Sequence, residues 1–198
     1  VSISYNNKVY LFNIKYNNST YIQNVLLTCL IIFNLNLDIS GKKNIFLNFK
    51  IPEGRGDMNK IQIFKKKFYL LDESYNANPH SMRLAINHFN SIDKKKTQKI
   101  LLLGDMLELG KKTKFFHRNL GKYINNSNID KVFVIGTSIL ETYKFLKKNK
   151  KGKILNTMSD IASLIRNYIN DNDYVMIKGS NLTGLNNFSK KLKKGKIN

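Results

Sequence analysis

The stretch "FYLLDESYNANPHSM" at residues 68–82 decides the fold of this 198-residue chain. Its first four residues are apolar, as expected for a short buried β-strand. Polar residues follow, and Asn78–Pro79 then marks a helix start, because Asn is a good N-cap and Pro suits the first helical turn. The next apolar residues recur at helical spacing on one face: Met82, Ala85, Ile86 and Phe89. The stretch therefore predicts a strand, a polar loop and a helix in succession.

The same order of strand and helix repeats along the rest of the chain. Apolar strands are predicted at residues 100–103, 132–135, 153–155 and 174–177. Helices are predicted at about 113–125, 138–148 and 159–169, and a Lys-rich helix closes the chain. Short apolar strands that alternate with helices are typical of a parallel sheet covered on both faces. We therefore predict an α/β fold with a mostly parallel sheet and helices on both faces.

The first 50 residues follow a different pattern. They predict a hairpin within residues 1–16, a mostly buried helix at 21–35 and a short helix from about Asp38 to Phe46. The segment "IPEGRGD" at 51–57 combines proline, glycine and charge, which marks a domain boundary. We therefore expect residues 1–50 to be a fragment of a second α/β domain and residues 51–198 to be a domain of their own. Because the first residue is Val, we also expect a longer parent protein.

Composition limits the classes of partner. The chain has 34 Lys and Arg residues against 13 Asp and Glu, a formal net charge of +21. Such charge can indicate a nucleic-acid partner, but the basic residues are nearly all Lys and are spread everywhere, whereas nucleic-acid readers favour Arg. We therefore expect no nucleic-acid partner. The apolar run at 25–33 is too short to span a membrane, which needs about 20 residues. The chain has a single cysteine, Cys29, which favours a reducing, cytoplasmic location.

Three polar segments follow predicted strands: "DESYNANP" at 72–79, "GDMLELG" at 104–110 and "KGS" at 178–180. In parallel α/β sheets, ligands bind beyond the carboxyl ends of the strands. The pattern therefore predicts a site for a polar ligand, either anionic or zwitterionic. Arg55 lies between two glycines and suits a phosphate. The neighbouring acids Asp72 and Glu73 face opposite ways in a strand, so that one can meet a ligand and the other the protein.

Each of these residues also has a purely structural interpretation. Arg55 can be a solvated loop residue, the two acids can cap a helix or pair with Lys, and Lys178 can be a solvated strand end. A lone helical histidine such as His117 is more often structural. No phosphate loop is present, because five residues separate Gly104 from Gly110 and Lys112 stands where the loop needs Ser or Thr. No His and Cys residues have metal-ligand spacing.

Taken together and in order, the motifs resemble the Mur ligases. The resemblance rests on "GRG" (54–56), "DESYNANPHSM" (72–82), "LLLGDMLELG" (101–110) with His117 downstream, and "IKGS" (177–180), and it covers about residues 20–193. It implies that residues from about 52 onward form the family's C-terminal Rossmann-like domain and that residues 1–50 end its central ATPase domain. The pair "SYNANP" and "GDMLELG" resembles the branch that adds D-Ala-D-Ala to UDP-N-acetylmuramoyl-tripeptide during peptidoglycan synthesis.

The resemblance also implies a reaction. In that branch ATP phosphorylates the carboxylate of the UDP-linked tripeptide, and the amine of D-Ala-D-Ala then attacks the acyl phosphate to form an amide. Mg²⁺ neutralises the phosphates, and its ligands are expected mainly outside this chain. Because the phosphate loop is missing here, we expect the chain alone to be inactive. We also expect the full-length ligase to be a monomer.

Residue by residue, the resemblance implies a cofactor side and a substrate side. Asn24 matches a residue that reads adenine, Arg55 matches a catalytic arginine that reaches the ATP phosphates, and Glu73, with Asp72 beside it, matches the acid that contacts the ribose. Five positions match the side of the amino-acid substrate: Asn76, Asn78, His117, Lys178 and Ser180. Near Asn24 the chain departs from the family, since Asn17–Asn18 and Thr20 replace a Pro-Gly pair and a histidine. This departure puts the adenine contact in question.

Two alternatives stay open at this point. The chain can be a non-catalytic, basic α/β module that binds ligands or nucleic acid, in which case binding depends steeply on salt and nucleotide affinity is absent. It can also belong to another ligase of the same superfamily, such as folylpolyglutamate synthase. The pair "SYNANP" and "GDMLELG" argues against that second alternative.

Overall fold

The computed structural model describes residues 1–16, 19–93 and 97–197, with the side chains of Ser19 and Thr20 left aside. Asn17 and Asn18, where the sequence departs from the family near the adenine side, lie outside these residues. The chain divides into two compact units, Val1–Ile51 and Pro52–Asn198. Each unit has its own hydrophobic core.

The smaller unit begins with the predicted hairpin. Strand β1 (Ser2–Tyr5) pairs antiparallel with β2 (Lys8–Leu11). Asn6 and Asn7 form the turn with positive φ angles of 47° and 59°. Positive φ at both turn residues matches the twist of the flanking strands, and Asn tolerates this conformation well. The hairpin expected from the sequence is therefore confirmed.

Helix α1 (Ser19–Asn34) follows, but it is not mostly buried as predicted. One stripe at a spacing of four residues faces the core: Tyr21, Val25, Cys29 and Phe33. Apolar residues on other faces stay in solvent, and Leu27 and Ile31 are 58% and 53% exposed. The prediction was wrong because apolar residues at every helical position indicate burial on all sides, whereas this unit covers only one.

The short helix predicted from Asp38 to Phe46 is also wrong, since this segment consists of turns. The Asp38 Oδ1 atom accepts a hydrogen bond from the Ser40 amide at 2.8 Å, which closes a local side-chain turn in place of a helix start. Gly41 then adopts a φ of 75°, outside the right-handed helical region. Local side-chain hydrogen bonding and glycine freedom therefore override the helical pattern.

The larger unit contains a six-stranded sheet. Its strands are β3 (Asp57–Ile63), β4 (Lys66–Glu73), β5 (Lys99–Gly104), β6 (Lys131–Ile135), β7 (Lys151–Leu155) and β8 (Tyr174–Lys178). Their spatial order is β3-β4-β8-β5-β6-β7. Strand β3 pairs antiparallel with β4, and all other pairs are parallel. The predicted mostly parallel sheet is confirmed, and β3 adds an edge strand that the sequence analysis did not predict.

Helices cover both faces of this sheet. They are α2 (Pro79–Ser91), α3 (Thr113–Asn125), α4 (Leu140–Lys144), α5 (Met158–Asn167) and α6 (Leu185–Lys193). Alternate strand residues enter different cores, so that Leu70 packs in the cluster with α5 and α6 and Leu71 in the cluster with α2 and α3. The helix predicted at 138–148 is shorter than expected, since α4 ends at Lys144 and the segment Lys148–Lys150 forms a separate 3₁₀ turn. None of the helices in the described part of the chain is long and apolar enough to cross a bilayer.

Candidate functional site

The three polar segments predicted to converge do meet, at the carboxyl ends of three neighbouring strands of the sheet. Strand β8 lies between β4 and β5, with Lys178 in register with Glu73 on one side and Leu103 on the other. The loops after these three strands therefore begin side by side. We call this group of loops, residues 72–79, 104–110 and 178–180, the strand-end cluster.

Lys178 is the buried charge at the centre of the strand-end cluster. Its side chain is 2% exposed, and its ammonium lies 3.2 Å from Glu73 Oε2. It also donates to the main-chain oxygens of Asn76 at 2.9 Å and Glu73 at 3.4 Å. Burial lowers the pKa of Lys178, although the Glu73 carboxylate opposes this shift. An ammonium has three donors, and here all three have acceptors within the protein.

Ser180 links all three loops of the cluster. Its hydroxyl donates to the Ala77 main-chain oxygen at 3.3 Å and accepts from the Leu107 amide at 2.9 Å. Its own amide donates to the Asp105 main-chain oxygen at 2.9 Å. Ser180 is buried, so water competes little for these hydrogen bonds. The residue therefore fixes the loops relative to one another.

His117 is buried on α3 beneath the same loops. Its Nε2 atom accepts from the Met106 amide at 3.2 Å, and its Nδ1 atom lies 2.9 Å from the Thr113 main-chain oxygen. This pairing assigns the neutral ring with the proton on Nδ1, since Nε2 must act as the acceptor. Both ring nitrogens are therefore engaged by the main chain, and the ring holds the loop after β5 in place.

Asp105 has a structural role that the sequence analysis did not assign. Its carboxylate accepts from the amides of Thr137 and Ile139, at 3.1 and 2.7 Å. These amides belong to the loop after β6, the next strand in the sheet. A Cβ atom at Gly136 would lie 2.6 Å from the Asp105 carboxylate, so that only glycine fits there. The signal in the sequence was an acid directly after one strand and a glycine directly after the next.

The adjacent acids Asp72 and Glu73 are separated by strand alternation, as predicted. Asp72 is 1% exposed, and its Oδ1 atom accepts from the Ser74 hydroxyl at 2.5 Å and from the Ser74 amide at 3.1 Å. Its Oδ2 atom lies 2.8 Å from the Lys193 ammonium. Burial alone would raise the pKa of Asp72, but hydrogen bonds from Lys193 and Ser74 outweigh it and hold the pKa below its usual value. Glu73 is the acid that remains partly exposed, at 18%.

Arg55 lies in a loop that is fastened beside the strand-end cluster. The Gly56 amide donates to the Asp72 main-chain oxygen at 2.8 Å, and the Tyr75 amide donates to the Gly54 oxygen at 3.0 Å. Both glycines have positive φ, 75° and 97°. A Cβ atom at position 54 would lie 2.9 Å from the Tyr75 amide nitrogen, so the close approach requires glycine. The sequence "GRG" thus carries Arg55 to the end of β4.

The Arg55 side chain is exposed and stacks on an aromatic ring. Its guanidinium carbon lies 4.3 Å from the centre of the Tyr75 ring, which is 42% exposed. A guanidinium over an aromatic face keeps its hydrogen-bond donors free for an anion while the ring restricts its motion. Tyr75 was part of the quoted motif, but the sequence analysis did not assign it a role.

The three predicted asparagines occupy different surroundings. Asn78 caps α2, because its side-chain oxygen accepts from the Ser81 amide at 2.8 Å. Asn76 is exposed, and its side-chain oxygen accepts from the Ala77 amide at 2.8 Å. Asn24 is exposed on α1 in the smaller unit.

The strand-end cluster and the Arg55 loop together have the chemistry of a site for an anion and hydroxyl groups. Exposed Arg55 supplies a cation, partly exposed Glu73 supplies an acceptor for hydroxyl groups, and the buried residues hold both in place. Among residues 1–16, 19–93 and 97–197, no group of three His, Cys, Asp or Glu side chains is arranged to hold a metal ion.

Comparisons with known proteins agree with this arrangement. A family model described as "Mur ligase, glutamate ligase domain" matches residues 59–181. A UDP-N-acetylmuramoyl-tripeptide–D-alanyl-D-alanine ligase from Rickettsia prowazekii is 26% identical over 175 residues, which cover 88% of this chain and 38% of the relative. The enzyme of the same name from Buchnera aphidicola subsp. Baizongia pistaciae is 38% identical over 112 residues, which cover 50% of this chain and 24% of the relative.

A solved structure shares the fold. The crystal structure of a MurF ligase from Thermotoga maritima in complex with ADP superposes with a TM-score of 0.73 at 20% identity, covering 96% of this chain and 42% of that one. The chain thus spans about two fifths of the length of the Rickettsia and Thermotoga proteins. The resemblance inferred from the strand-end motifs is confirmed, and the chain belongs to the Mur ligase family.

Proposed function

We propose that this chain is the C-terminal part of a MurF-type ligase, which uses ATP to join D-alanyl-D-alanine to UDP-N-acetylmuramoyl-tripeptide. The names of the relatives from Rickettsia and Buchnera support this substrate pair. The motifs "SYNANP" and "GDMLELG" support the same branch of the family. In this proposal residues 1–50 end a central ATPase domain, and the product is a precursor of peptidoglycan.

The observation that carries the proposal is the position of Arg55 beside Glu73. The loop that holds Arg55 is bonded to the main chain of β4, and a Cβ atom at Gly56 would lie only 3.0 Å from Glu73 Oε1. A cation and a carboxylate on two segments joined in this way suit the two polar parts of a nucleotide. Arg55 would bind phosphate oxygens, since guanidinium donors match them well. Glu73 would accept hydrogen bonds from ribose hydroxyls, and Asn24 would contact adenine.

The amino-acid substrate would lie along the exposed loop of the strand-end cluster. Asn76 and Asn78 offer carboxamides there, and the predicted contacts of the dipeptide with Lys178, Ser180 and His117 remain predictions. The bonds of these three buried residues support an indirect role. Lys178 orients Glu73, while Ser180 and His117 fix the loops against which a dipeptide would rest.

ATP would supply the energy that converts a carboxylate into an acylating agent, and Mg²⁺ would neutralise its phosphates. Arg55 and Glu73 fit a nucleotide by charge and exposure. The described residues offer no cluster of metal ligands, so the proposal assigns none of them to magnesium. A cytoplasmic location, a monomeric state and the absence of a nucleic-acid partner also remain predictions.

The test is phosphate release by the full-length ligase that contains this chain. Release from ATP should require both the UDP-linked tripeptide and D-Ala-D-Ala. Arg55→Ala should lower the rate on the order of 10²-fold, as loss of one preorganised donor does in other enzymes. Arg118→Ala is the matched control, because Arg118 is exposed and its contacts, with Glu141 and the Phe145 ring, lie outside the strand-end cluster.

Two results would contradict the proposal. Phosphate release that does not depend on the dipeptide would contradict the substrate assignment. Equal rates in the two arginine variants would contradict the role of Arg55. Steeply salt-dependent binding to nucleic acid without nucleotide affinity would favour the basic binding module instead.

A further inference from the structure

The Lys-rich helix α6 has a polar stripe that faces the protein. Asn186 and Ser189 are buried, and the Lys193 side chain is only 14% exposed. These residues are spaced by three and four positions, so they share one face of the helix. Asn186 reaches the Ser74 hydroxyl at 3.4 Å. Among the many lysines of this chain, Lys193 is therefore held in a defined polar environment.

The Lys193 ammonium joins two carboxylates. It lies 2.8 Å from Asp72 Oδ2 and 3.1 Å from Asp57 Oδ2. Burial acts to lower the pKa of Lys193, but its hydrogen bonds and ion pairs with the two acids outweigh burial and raise it. Lys193 thus stays charged at neutral pH and bridges the start of β3 to the end of β4.

Both acids also hold the loop that carries Arg55. Asp57 Oδ1 accepts from the Gly54 amide at 2.9 Å, and the main-chain oxygen of Asp72 accepts from the Gly56 amide at 2.8 Å. Each neighbour of Arg55 is therefore bonded to a residue that pairs with Lys193. Displacement of Lys193 would leave two close carboxylates without their shared cation, and their repulsion would separate the two anchors.

We propose that Lys193 is a positioning residue for Arg55, acting through Asp57 and Asp72. It touches neither nucleotide nor substrate in this proposal. Through Lys193, helix α6 thereby helps to fix the position of the loop that carries Arg55. The kinetic part of this inference rests on the proposed function, whereas the structural part does not.

The structural test is amide hydrogen exchange in the 198-residue chain. Lys193→Met removes the charge and keeps the length of the side chain, and Lys190→Met is the matched control on an exposed position of the same helix. The Gly54 and Gly56 amides should exchange on the order of 10-fold faster in Lys193→Met, while the amide of Leu102 in the sheet keeps its rate. A tenfold change corresponds to loss of about 1.4 kcal/mol of local protection. Equal exchange at both glycines in the two variants would overturn the proposal.

The kinetic test is a double-mutant cycle in the full-length ligase. Lys193→Met alone should lower kcat/KM for ATP on the order of 10-fold, since small misplacements of a positioned group are costly. Lys193→Arg should restore most of this loss. In an Arg55→Ala background, Lys193→Met should have no further effect, because the two residues act on the same contact. A general loss of stability would instead add to the effect of Arg55→Ala, and that additive result would overturn the proposal.

The two tests separate the two claims. A wild-type enzyme without ATP turnover would contradict the proposed function, while the exchange rates of Gly54 and Gly56 would still decide whether Lys193 anchors the loop. An active enzyme with unchanged exchange would contradict the inference alone.

Discussion

At the scale of single residues, two neighbouring carboxylates serve different purposes. Asp72 points into the protein and pairs with Lys193, while Glu73 points to the strand-end cluster and pairs with Lys178. The cause is the alternation of side chains along a strand. The same burial that hides Asp72 makes its charge dependent on partners, since an unpaired buried charge is costly.

Asp72 should therefore make the larger unit sensitive to acid. Its pKa is lower in the folded chain than the usual 3.8, so the unfolded chain binds a proton first as the pH falls. The stability contributed by Asp72 is present above that usual value and is lost as the pH falls through the folded pKa. Asp72→Asn should cost about 3 kcal/mol at pH 7, because it leaves part of the Lys193 charge uncompensated. It should also flatten the fall of stability below about pH 4.

Urea unfolding at a series of pH values measures both effects. Glu108→Gln is the control, because Glu108 is exposed. A variant Asp72→Asn that keeps the acid slope of the wild type would show that other carboxylates cause it.

At the scale of elements, the starts of two helices are set by local side-chain caps. Helix α2 begins with a capping box. The Asn78 side-chain oxygen accepts from the Ser81 amide, and the Ser81 hydroxyl accepts from the Asn78 amide. Helix α5 begins with the same device, built from Thr157 and Asp160. Such caps satisfy main-chain amides that have no partner inside the helix. The cap of α2 also fixes the end of the "SYNANP" loop at Asn78, so that helix stability and site geometry depend on the same residue.

Asn78 should show this double role when it is substituted. Asn78→Ala should lower the free energy of unfolding by about 1 kcal/mol, the usual cost of a lost N-cap. Asn78→Ser keeps a capping oxygen and should cost only a few tenths of a kcal/mol. Urea unfolding of the two variants at pH 7 compares them directly. If Asn78→Ser is as unstable as Asn78→Ala, the carboxamide rather than the cap sets the stability.

At the scale of the whole molecule, the larger unit has the content of an independent domain. Its two hydrophobic clusters contain only residues from Ile61 onward, and they cover both faces of one sheet. The unit has 147 residues, from Pro52 to Asn198, and a length of this order is enough to bury a sufficient core. The catalytic reaction proposed above would need further domains, but the folding of this unit would not.

Residues 52–198 should therefore fold when expressed alone. Their urea midpoint should match that of the main transition in the 198-residue chain, since no core residue is removed. Phe89→Ala should cost about 3 to 5 kcal/mol in both forms, because Phe89 is fully buried. An unfolded or aggregated product for residues 52–198, with the longer chain folded, would contradict this prediction.

The sequence by itself determined the class of fold and the place of the site. Apolar runs such as 100–103 and 174–177 predicted the parallel strands, since only strands buried on both faces read as continuous apolar segments. The N-cap at Asn78 and the helix at 113–125 were also predicted correctly. The edge strand β3 was missed because its exposed Lys and Gln residues dilute the strand pattern, and α1 was predicted as buried because its sequence is apolar on every side.

Only the tertiary structure decided which polar residues are free and which support others. Strand order brought "DESYNANP", "GDMLELG" and "KGS" together, and it turned Lys178, Ser180 and His117 into buried anchors whose donors and acceptors are engaged by the protein. The tertiary structure also placed Lys193, among the lysines of α6, next to Asp57 and Asp72. The physical reason is that hydrogen bonding and charge pairing depend on distance between segments far apart in the chain, which periodicity and spacing do not contain.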